Sequence, residues 1–453
     1  MEIKILQDKE ENNLKIIKNL TIDKLVYKGL GLGYDNSNPV FVSNSVPGDI
    51  LDVKIISSRR QVSFAKIEHI VKKSPRRIGS GCEVFGQCGG CDWLCISYED
   101  QLQFKQEIIE DIFKNVEIAA VNEIIASENE PYRNKGFFPI TLQNNIPISG
   151  MFESRSHNVI QHKSCKLHPK LFDDICELVL SYIQASKMQV YNEQNHSGNA
   201  RHIGVRYTKK TNEIIVVLVT RNRKIPFSNQ LVRVLFDNYP NIVGIIQNVN
   251  PEKTNVILGN DEKILFGRNY LIEKIGKIKF KLNYRSFFQI NTKQAERMYA
   301  FVKKHVSIES NIIDAYCGVG SIGLYLADKV NVVCGIEINK LAIENAKENA
   351  EINGIENCEF IAGFVEKELL KIYGSKKYDT MIVDPPRKGL DKKIIDLIPA
   401  EIKKIIYISC DPMTQVRDVQ MIREKGFEAV FMQAFDMFPQ TYHIENVIIL
   451  ERN

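Results

Sequence analysis

Gly318-Val-Gly-Ser-Ile-Gly323 follows an apolar run, Ile312-Ile-Asp-Ala-Tyr, and opens a run with helical spacing from Ser321. This is G-x-G-x-x-G in the strand-to-helix context the motif requires, where glycines let the backbone approach a bound nucleoside cofactor. Glu337 lies 19 residues after Gly318, at the end of the next apolar run, where an acid can take ribose hydroxyls. A nicotinamide dehydrogenase would fit that far. Asp314, in the strand leading into the glycine loop, separates the two readings. A pyrophosphate would be repelled by that carboxylate, whereas S-adenosylmethionine has no phosphate and carries an ammonium and a sulfonium. Asp384, in Val383-Asp-Pro-Pro-Arg, ends another strand and faces the same crevice. Three acids around one mouth suit a cationic cofactor better than three unrelated strand-end caps.

Cys410 ends the run Ile405-Ile-Tyr-Ile-Ser, and Asp411-Pro412 then turns the chain. Most lone cysteines are small buried hydrophobes; this one stands at a strand mouth, on the cofactor crevice. Glu445, in His443-Ile-Glu-Asn, precedes the last apolar run, and alone it would read as a surface acid. A thiolate and a half-buried carboxyl together suit methylation of uracil C5, which is a poor nucleophile. Thiolate attack at C6 makes an enolate whose C5 can accept a methyl group, and a base then removes the C5 proton so that the thiolate leaves. Cys410 is expected to be the nucleophile and Glu445 the base, with a raised pKa.

A third group is the cysteines. The chain has ten, and Cys82, Cys88, Cys91 and Cys95 fall within fourteen residues. Cys82, Cys88 and Cys91 sit on a Gly-bearing loop able to wrap a compact inorganic core. A fourth ligand would come from Cys95 or from Cys165 in His162-Lys-Ser-Cys165. Spacing alone leaves zinc, an iron–sulfur cluster and free thiols open, although it is not that of the common zinc pairs.

The elements that must position these residues follow from apolar patterning. Residues 1–73 form one segment, in which about 15–72 read as a small β domain of the OB type. Its short strands (Leu20–Val26, Val40–Val42, Ile50–Ile56) are split by Gly- and Pro-bearing turns. Ser74-Pro-Arg-Arg marks a boundary. Residues 74–285 are a mixed α+β region holding the cysteine loop, a helix from Glu99 to Phe113, and strands at Ile203–Tyr207, Glu213–Val219 and Ile242–Asn248. From 286 to 453 strands alternate with helices, which predicts an α/β domain with a mostly parallel sheet covered on both faces.

Phe287-Phe-Gln-Ile-Asn291, Asp314-Ala-Tyr-Cys-Gly-Val-Gly-Ser-Ile-Gly, Asp384-Pro-Pro-Arg-Lys-Gly, Tyr407-Ile-Ser-Cys-Asp-Pro and Phe438-Pro-Gln-Thr-Tyr-His-Ile-Glu occur in this order. Together they resemble the RNA 5-methyluridine methyltransferase family, and the N-terminal β domain resembles the TRAM domain of many members. The resemblance implies a Rossmann-like class I methyltransferase domain. It implies that Gln289, Tyr316, Glu337 and Asp384 contact S-adenosylmethionine, with Cys410 as nucleophile and Glu445 as proton acceptor. Ribosomal-RNA members carry a four-iron, four-sulfur cluster on this cysteine pattern, which points to Cys82, Cys88, Cys91 and Cys165 as ligands and to 23S ribosomal RNA as substrate. Such a cluster would be structural, and Trp93 and Phe85 could shield it or stack a flipped base. One departure is Asp411, where many members have Asn; little effect is expected.

Net charge is only +5, but residues 57–77 carry seven Lys/Arg (Arg59, Arg60, Lys66, Lys72, Lys73, Arg76, Arg77) against one Glu. That block reads either as a phosphate-binding surface or as a solvated linker. The target uridine must leave its stack, so a loop or single strand is preferred. The opening ten residues have no apolar h-region and no stretch is long enough to span a bilayer, so a cytoplasmic protein is expected; the sequence is silent on oligomeric state, and a monomer is the default. Competing readings are a transfer-RNA uridine methyltransferase, whose bacterial members typically lack the β domain and the cysteine loop, a dehydrogenase, and a non-catalytic RNA-binding protein.

Overall fold

The computed structural model describes residues 15–129, 131–154, 156–372 and 377–452. The reading of the opening ten residues lies outside them. The chain forms two compact units. One comprises Met1–Gly81, Cys91–Ile108 and Gln440–Tyr442; the other comprises Cys82–Gly90, Ile109–Pro439 and His443–Asn453.

In the smaller unit, β1 (Ile16–Thr21), β2 (Lys24–Val26), β3 (Leu30–Asp35), β4 (Asn38–Val42), β5 (Ile50–Arg59) and β6 (Val62–Lys72) form one sheet in the order β1-β5-β6-β4-β3-β2. Register shifts at three places between β5 and β6 are the bulges that let a long strand pair bend around a small core. Leu20, Val40, Val42, Leu51, Val53 and Ala65 fill that core. Buried Asp49 accepts the amides of Val46 and Ser74 and the Arg77 guanidinium, tying the Val46-Pro-Gly-Asp turn to the Ser74-Pro boundary. Arg77 is thereby removed from the expected phosphate-binding block. Arg76 pairs with Asp100 and lies over Phe104. Arg59, Arg60, Lys66, Lys72 and Lys73 remain exposed.

The base-stacking reading of Trp93 is corrected. It is 1% exposed, with its indole N–H directed at the Gly29 carbonyl at 3.4 Å. A side chain packed this way cannot stack a base. Cys95 is likewise buried in this unit, beside Arg77.

Helix α1 (Tyr98–Phe113) runs from the smaller unit into the larger, where β7 (Ile118–Ile125) follows. Next come β8 (Lys135–Gln143), β9 (Ile146–Ser149), β10 (Met151–Phe152), β11 (Val159–Ile160), α2 (Leu171–Ala185), β12 (Ala200–Thr208), β13 (Glu213–Thr220), α3 (Ser228–Asn238), β14 (Ile242–Val249) and β15 (Asp261–Gly267). Their main sheet has the order β15-β14-β13-β12-β8-β9. Phe172, Val179 and Ile183 of α2 and Leu231 and Leu235 of α3 pack on it. A hairpin, β16 (Tyr270–Ile275) and β17 (Ile278–Asn283), leads to the C-terminal part.

That part runs α4 (Thr292–His305), β18 (Asn311–Ala315), α5 (Ser321–Leu326), β19 (Val332–Glu337), α6 (Lys340–Ile352), β20 (Cys358–Ala362), α7 (Val365–Ile372), β21 (Thr380–Val383), α8 (Lys392–Asp396), β22 (Lys404–Ser409), α9 (Pro412–Arg423), β23 (Glu428–Phe435) and β24 (Glu445–Glu451). The sheet order is β20-β19-β18-β21-β22-β24-β23-β7. The five strands from β20 to β22 are parallel, and β24 enters antiparallel between β22 and β23. Near-continuous apolar strands such as Ile312–Ile313 and Ile405–Ile408 are fully buried, as the strands of a covered parallel sheet must be. This is the Rossmann-like class I architecture expected, and it follows the OB-like β domain and the α+β region in the sequence. The far edge is closed by β7, which comes from before residue 286 and pairs parallel with β23.

Candidate active site

The parallel strands end together at one mouth. Tyr316 follows β18 with φ +68°, a conformation rare for a bulky residue and one that concentrates at functional sites. Gly318 has φ +55°, and a Cβ there would meet nothing within 4 Å, so the loop has an open face. At Gly320, with φ +75°, a Cβ would come within 2.8 Å of Phe360. The first glycine keeps space clear and the second permits close packing.

Asp314 is 1% exposed. One carboxylate oxygen accepts the Gly323 amide at 3.1 Å, and the other has no hydrogen-bond partner. Burial pushes this carboxyl up to about 7, helped by the charges of Asp384 and Glu337. A half-satisfied buried acid is the natural counter-group for a cationic ligand. Glu337 ends β19 and accepts the amide of Asn339, which caps α6. Gln289 is buried just before α4, and its backbone carbonyl accepts the Asn134 side-chain amide at 3.1 Å. Ile338 and Phe364, beyond the ends of β19 and β20, are large, apolar and at least half exposed. The sequence reading missed these two, because exposure of an apolar residue at a strand end is a tertiary property.

Cys410 is fixed from both sides. It follows β22 directly, and Asp411 caps α9 by accepting the amides of Met413 and Thr414 at 3.1 and 3.3 Å. Asparagine would cap equally well, so the departure at Asp411 leaves the local structure intact. The β22–β24 ladder pairs Ser409 with Asn446. The next step outward sets Cys410 opposite Glu445, within side-chain reach. Glu445 is the first residue of β24 and 2% exposed, deeper than the half-buried position expected from sequence.

The charges show what faces the thiol. Burial pushes Cys410 up to about 12, followed by the charges of Glu445 and Asp384, while the Arg387 guanidinium opposes them through charge and a hydrogen bond. Glu445 is held well above the usual carboxylate range by burial and then by Asp384, again opposed by Arg387. Burial lifts Asp384 to about 7. Cys410, Glu445, Asp384 and Arg387 therefore form one group. The contribution of Arg387 had not been singled out, although it lies inside the quoted Asp384-Pro-Pro-Arg387 motif.

Asp418 holds the loop that carries Asp384 and Arg387. It is fully buried, accepts the Tyr407 hydroxyl and the Leu390 amide at 2.7 Å each, and pairs with Arg417. Gly389 (φ +75°) passes so close that a Cβ would lie 2.4 Å from the Asp418 carboxylate.

In the larger unit, Cys82, Cys88 and Cys165 are partly buried. The Gly90 amide donates to Cys88 Sγ and the Leu167 amide to Cys165 Sγ, both at 3.4 Å. Burial raises both thiols, with further increments from Cys82 on Cys88 and from Cys88 on Cys165. Cys91 follows Cys88 by three residues, where the chain passes to the smaller unit. N–H donors to sulfur, and thiols near enough to raise one another, are compatible with thiolate ligation of a metal.

The family model described as tRNA (Uracil-5-)-methyltransferase matches residues 97–453, and the TRAM domain model matches residues 17–67. The chain is 39% identical to an uncharacterized RNA methyltransferase of Fusobacterium nucleatum, over 96% of this chain and 95% of that one. It is 35% identical to another from Halalkalibacterium halodurans, over 97% and 98%. Among solved structures it is similar to the Pyrococcus abyssi tRNA (uracil-54, C5)-methyltransferase in complex with S-adenosyl-L-homocysteine. There the TM-score is 0.79 at 28% identity, covering 96% of this chain and all of that one. No described helix is long and apolar enough to cross a membrane. The chain belongs to the tRNA (Uracil-5-)-methyltransferase family, S-adenosylmethionine-dependent enzymes that methylate uracil C5 in RNA, and carries a TRAM domain at its N-terminal side.

Proposed function

We propose that the chain methylates C5 of a uridine in 23S ribosomal RNA through a covalent adduct between Cys410 and C6. The observation that carries the chemistry is the Cys410–Glu445 juxtaposition across β22 and β24, beside a mouth lined by Asp314, Glu337 and Asp384. Gln289, Tyr316, Glu337, Asp384 and Asp314 would hold S-adenosylmethionine, which would supply the methyl group. Ile338 and Phe364 would offer its apolar part an exposed surface. Cys410 adds to C6 as thiolate, C5 takes the methyl group, Glu445 accepts the C5 proton, and the C6–S bond breaks to return the thiolate. Arg387 and the α9 N-terminus favour the thiolate, and a cation against Asp384 relieves the charge that opposes it.

Cys82, Cys88, Cys91 and Cys165 are the proposed ligands of a four-iron, four-sulfur cluster, structural because methyl transfer consumes no electron. RNA capture is assigned to residues 1–73 and 74–285, and the chemistry to 286–453. The cysteine pattern with the TRAM domain supports the ribosomal substrate. A transfer-RNA uridine is the second reading, favoured by the Pyrococcus enzyme that the chain matches over nearly its whole length. Measuring 5-methyluridine in ribosomal and transfer RNA from cells with and without this protein decides between them: loss confined to transfer RNA overturns the ribosomal assignment. Anaerobically purified protein is expected to be brown, with about four irons per chain; its absence overturns the cluster.

A further inference from the structure

His162, Cys165 and His168 place one ligand atom each within 4.8 Å of one another, in the loop between β11 and α2. Five residues separate the two histidines, a spacing found in zinc loops. Asp173, in the first turn of α2, completes the group. Its Oδ1 lies 3.3 Å from His162 Nε2 and 3.7 Å from His168 Nε2, and these side chains are between 3% and 11% exposed. With bonds of about 2.0–2.2 Å, neighbouring nitrogen and oxygen ligands of one tetrahedral ion stand roughly 3.4 Å apart.

The hydrogen bonding of this group suits a cation. His168 Nε2 and Asp173 Oδ2 are buried without a hydrogen-bond partner. His168 Nδ1 lies 3.3 Å from the Pro169 carbonyl. An imidazole donating there presents a lone pair at Nε2, the tautomer metal-bound histidines adopt. That lone pair faces the Asp173 carboxylate in a buried site, where two acceptors repel unless a cation lies between them. The ring is stacked on Phe172 at 5.2 Å between centroids, which fixes its direction. Cys165 Sγ already accepts the Leu167 amide.

We propose that His162, Cys165, His168 and Asp173 bind a single divalent ion of the zinc class, sharing Cys165 with the proposed cluster. Two imidazoles, one thiolate and one carboxylate make a closed tetrahedral set. The site stands on its own geometry; only the sharing of Cys165 rests on the cluster reading. A thiolate bound to iron is unavailable to zinc, so the two occupancies exclude each other. When the cluster is absent, the ion pins this loop to α2.

The test uses the full chain, stripped of metal anaerobically under reductant and titrated with cobalt(II) chloride. One cobalt per chain is expected, with the strong visible bands of four-coordinate cobalt and a thiolate charge-transfer band. Cys165→Ser should abolish the charge-transfer band, and His162→Ala/His168→Ala should weaken uptake at least about tenfold. Cys82→Ser should leave it unchanged. His162→Gln and Asp173→Asn, which keep size, should weaken it similarly if the double variant melts early by circular dichroism. Uptake that ignores the histidines, uptake lost in Cys82→Ser, or no uptake at all overturns the proposal. Iron in the unstripped protein reports the cluster separately. Four irons without cobalt uptake by the stripped chain sinks this site alone, whereas histidine-dependent cobalt uptake without iron sinks the cluster alone.

Discussion

Cys410 and Glu445 take separate steps of one reaction, and substitutions should separate them. Cys410→Ala removes the atom that adds to C6, so methyl transfer should fall by at least about 10⁴-fold. RNA affinity should stay within a few-fold, as read by filter binding. Glu445→Gln leaves the addition intact and stalls elimination, so a covalent RNA adduct should persist on denaturing gels. Absence of the adduct would remove Glu445 as the base. The acids at the cofactor mouth predict a pH dependence. Asp314 and Asp384 stand near 7, well above the ordinary Asp value, so both lose a proton before meeting a cation. S-adenosylmethionine affinity should therefore be flat above about pH 7 and weaken below it by about tenfold per unit for each carboxyl involved. The same shift means that burying these acids destabilises the ligand-free fold as pH rises from about 4 through 7. Calorimetry between pH 5.5 and 8 checks the sign; an affinity that rises on acidification contradicts it.

Asp418 shows how elements set what residues can do. Its partners are none of the reacting groups, yet through Tyr407, Leu390 and Arg417 it clamps the loop bearing Asp384 and Arg387 to β22 and α9. Asp418→Ala leaves a buried Tyr hydroxyl and an amide unpaired, which should lower stability by about 3 kcal/mol in a denaturant melt. It should also lower kcat at saturating cofactor more than it raises the cofactor KM. A melt within about 0.5 kcal/mol of the parent would refute the clamp. Local grammar made the cofactor loop, the strand-end acids and Cys410 legible, since strand, turn and cap residues adjoin one another in the chain. Asp418 was not legible, because its partners come together only when β22 and α9 pack. The closing of the sheet by β7 was hidden for a related reason: Ile118–Ile125 has the apolar spacing of any strand, and nothing in it names β23 as partner. The base-stacking role offered for Trp93 failed because nothing in the sequence brings Gly29 against its indole.

At the scale of the whole molecule, a chain of net charge +5 must concentrate its cations to hold RNA. The structure divides the seven cations of residues 57–77 by use. Arg77 is committed to Asp49, and Arg76 to Asp100 and Phe104. Arg59, Arg60, Lys66, Lys72 and Lys73 are exposed at the end of β5, along β6 and just past it. If all five meet phosphates of a single strand, the plot of log affinity against log salt gains a slope of about −3.5 from them. Replacing Lys66, Lys72 and Lys73 by Ala should make that slope shallower by about 2 and weaken RNA binding at low salt. It should leave kcat on saturating RNA unchanged, because none of the three belongs to the group around Cys410. Arg77→Ala should behave differently. It strips the partner from buried Asp49 and should destabilise the TRAM domain by about 3 kcal/mol, with little change in the salt slope of the protein that remains folded. Filter binding between 50 and 300 mM salt, paired with melts of the same variants, separates the two kinds of cation. A triple Lys variant with an unaltered slope would move the RNA contact to another surface.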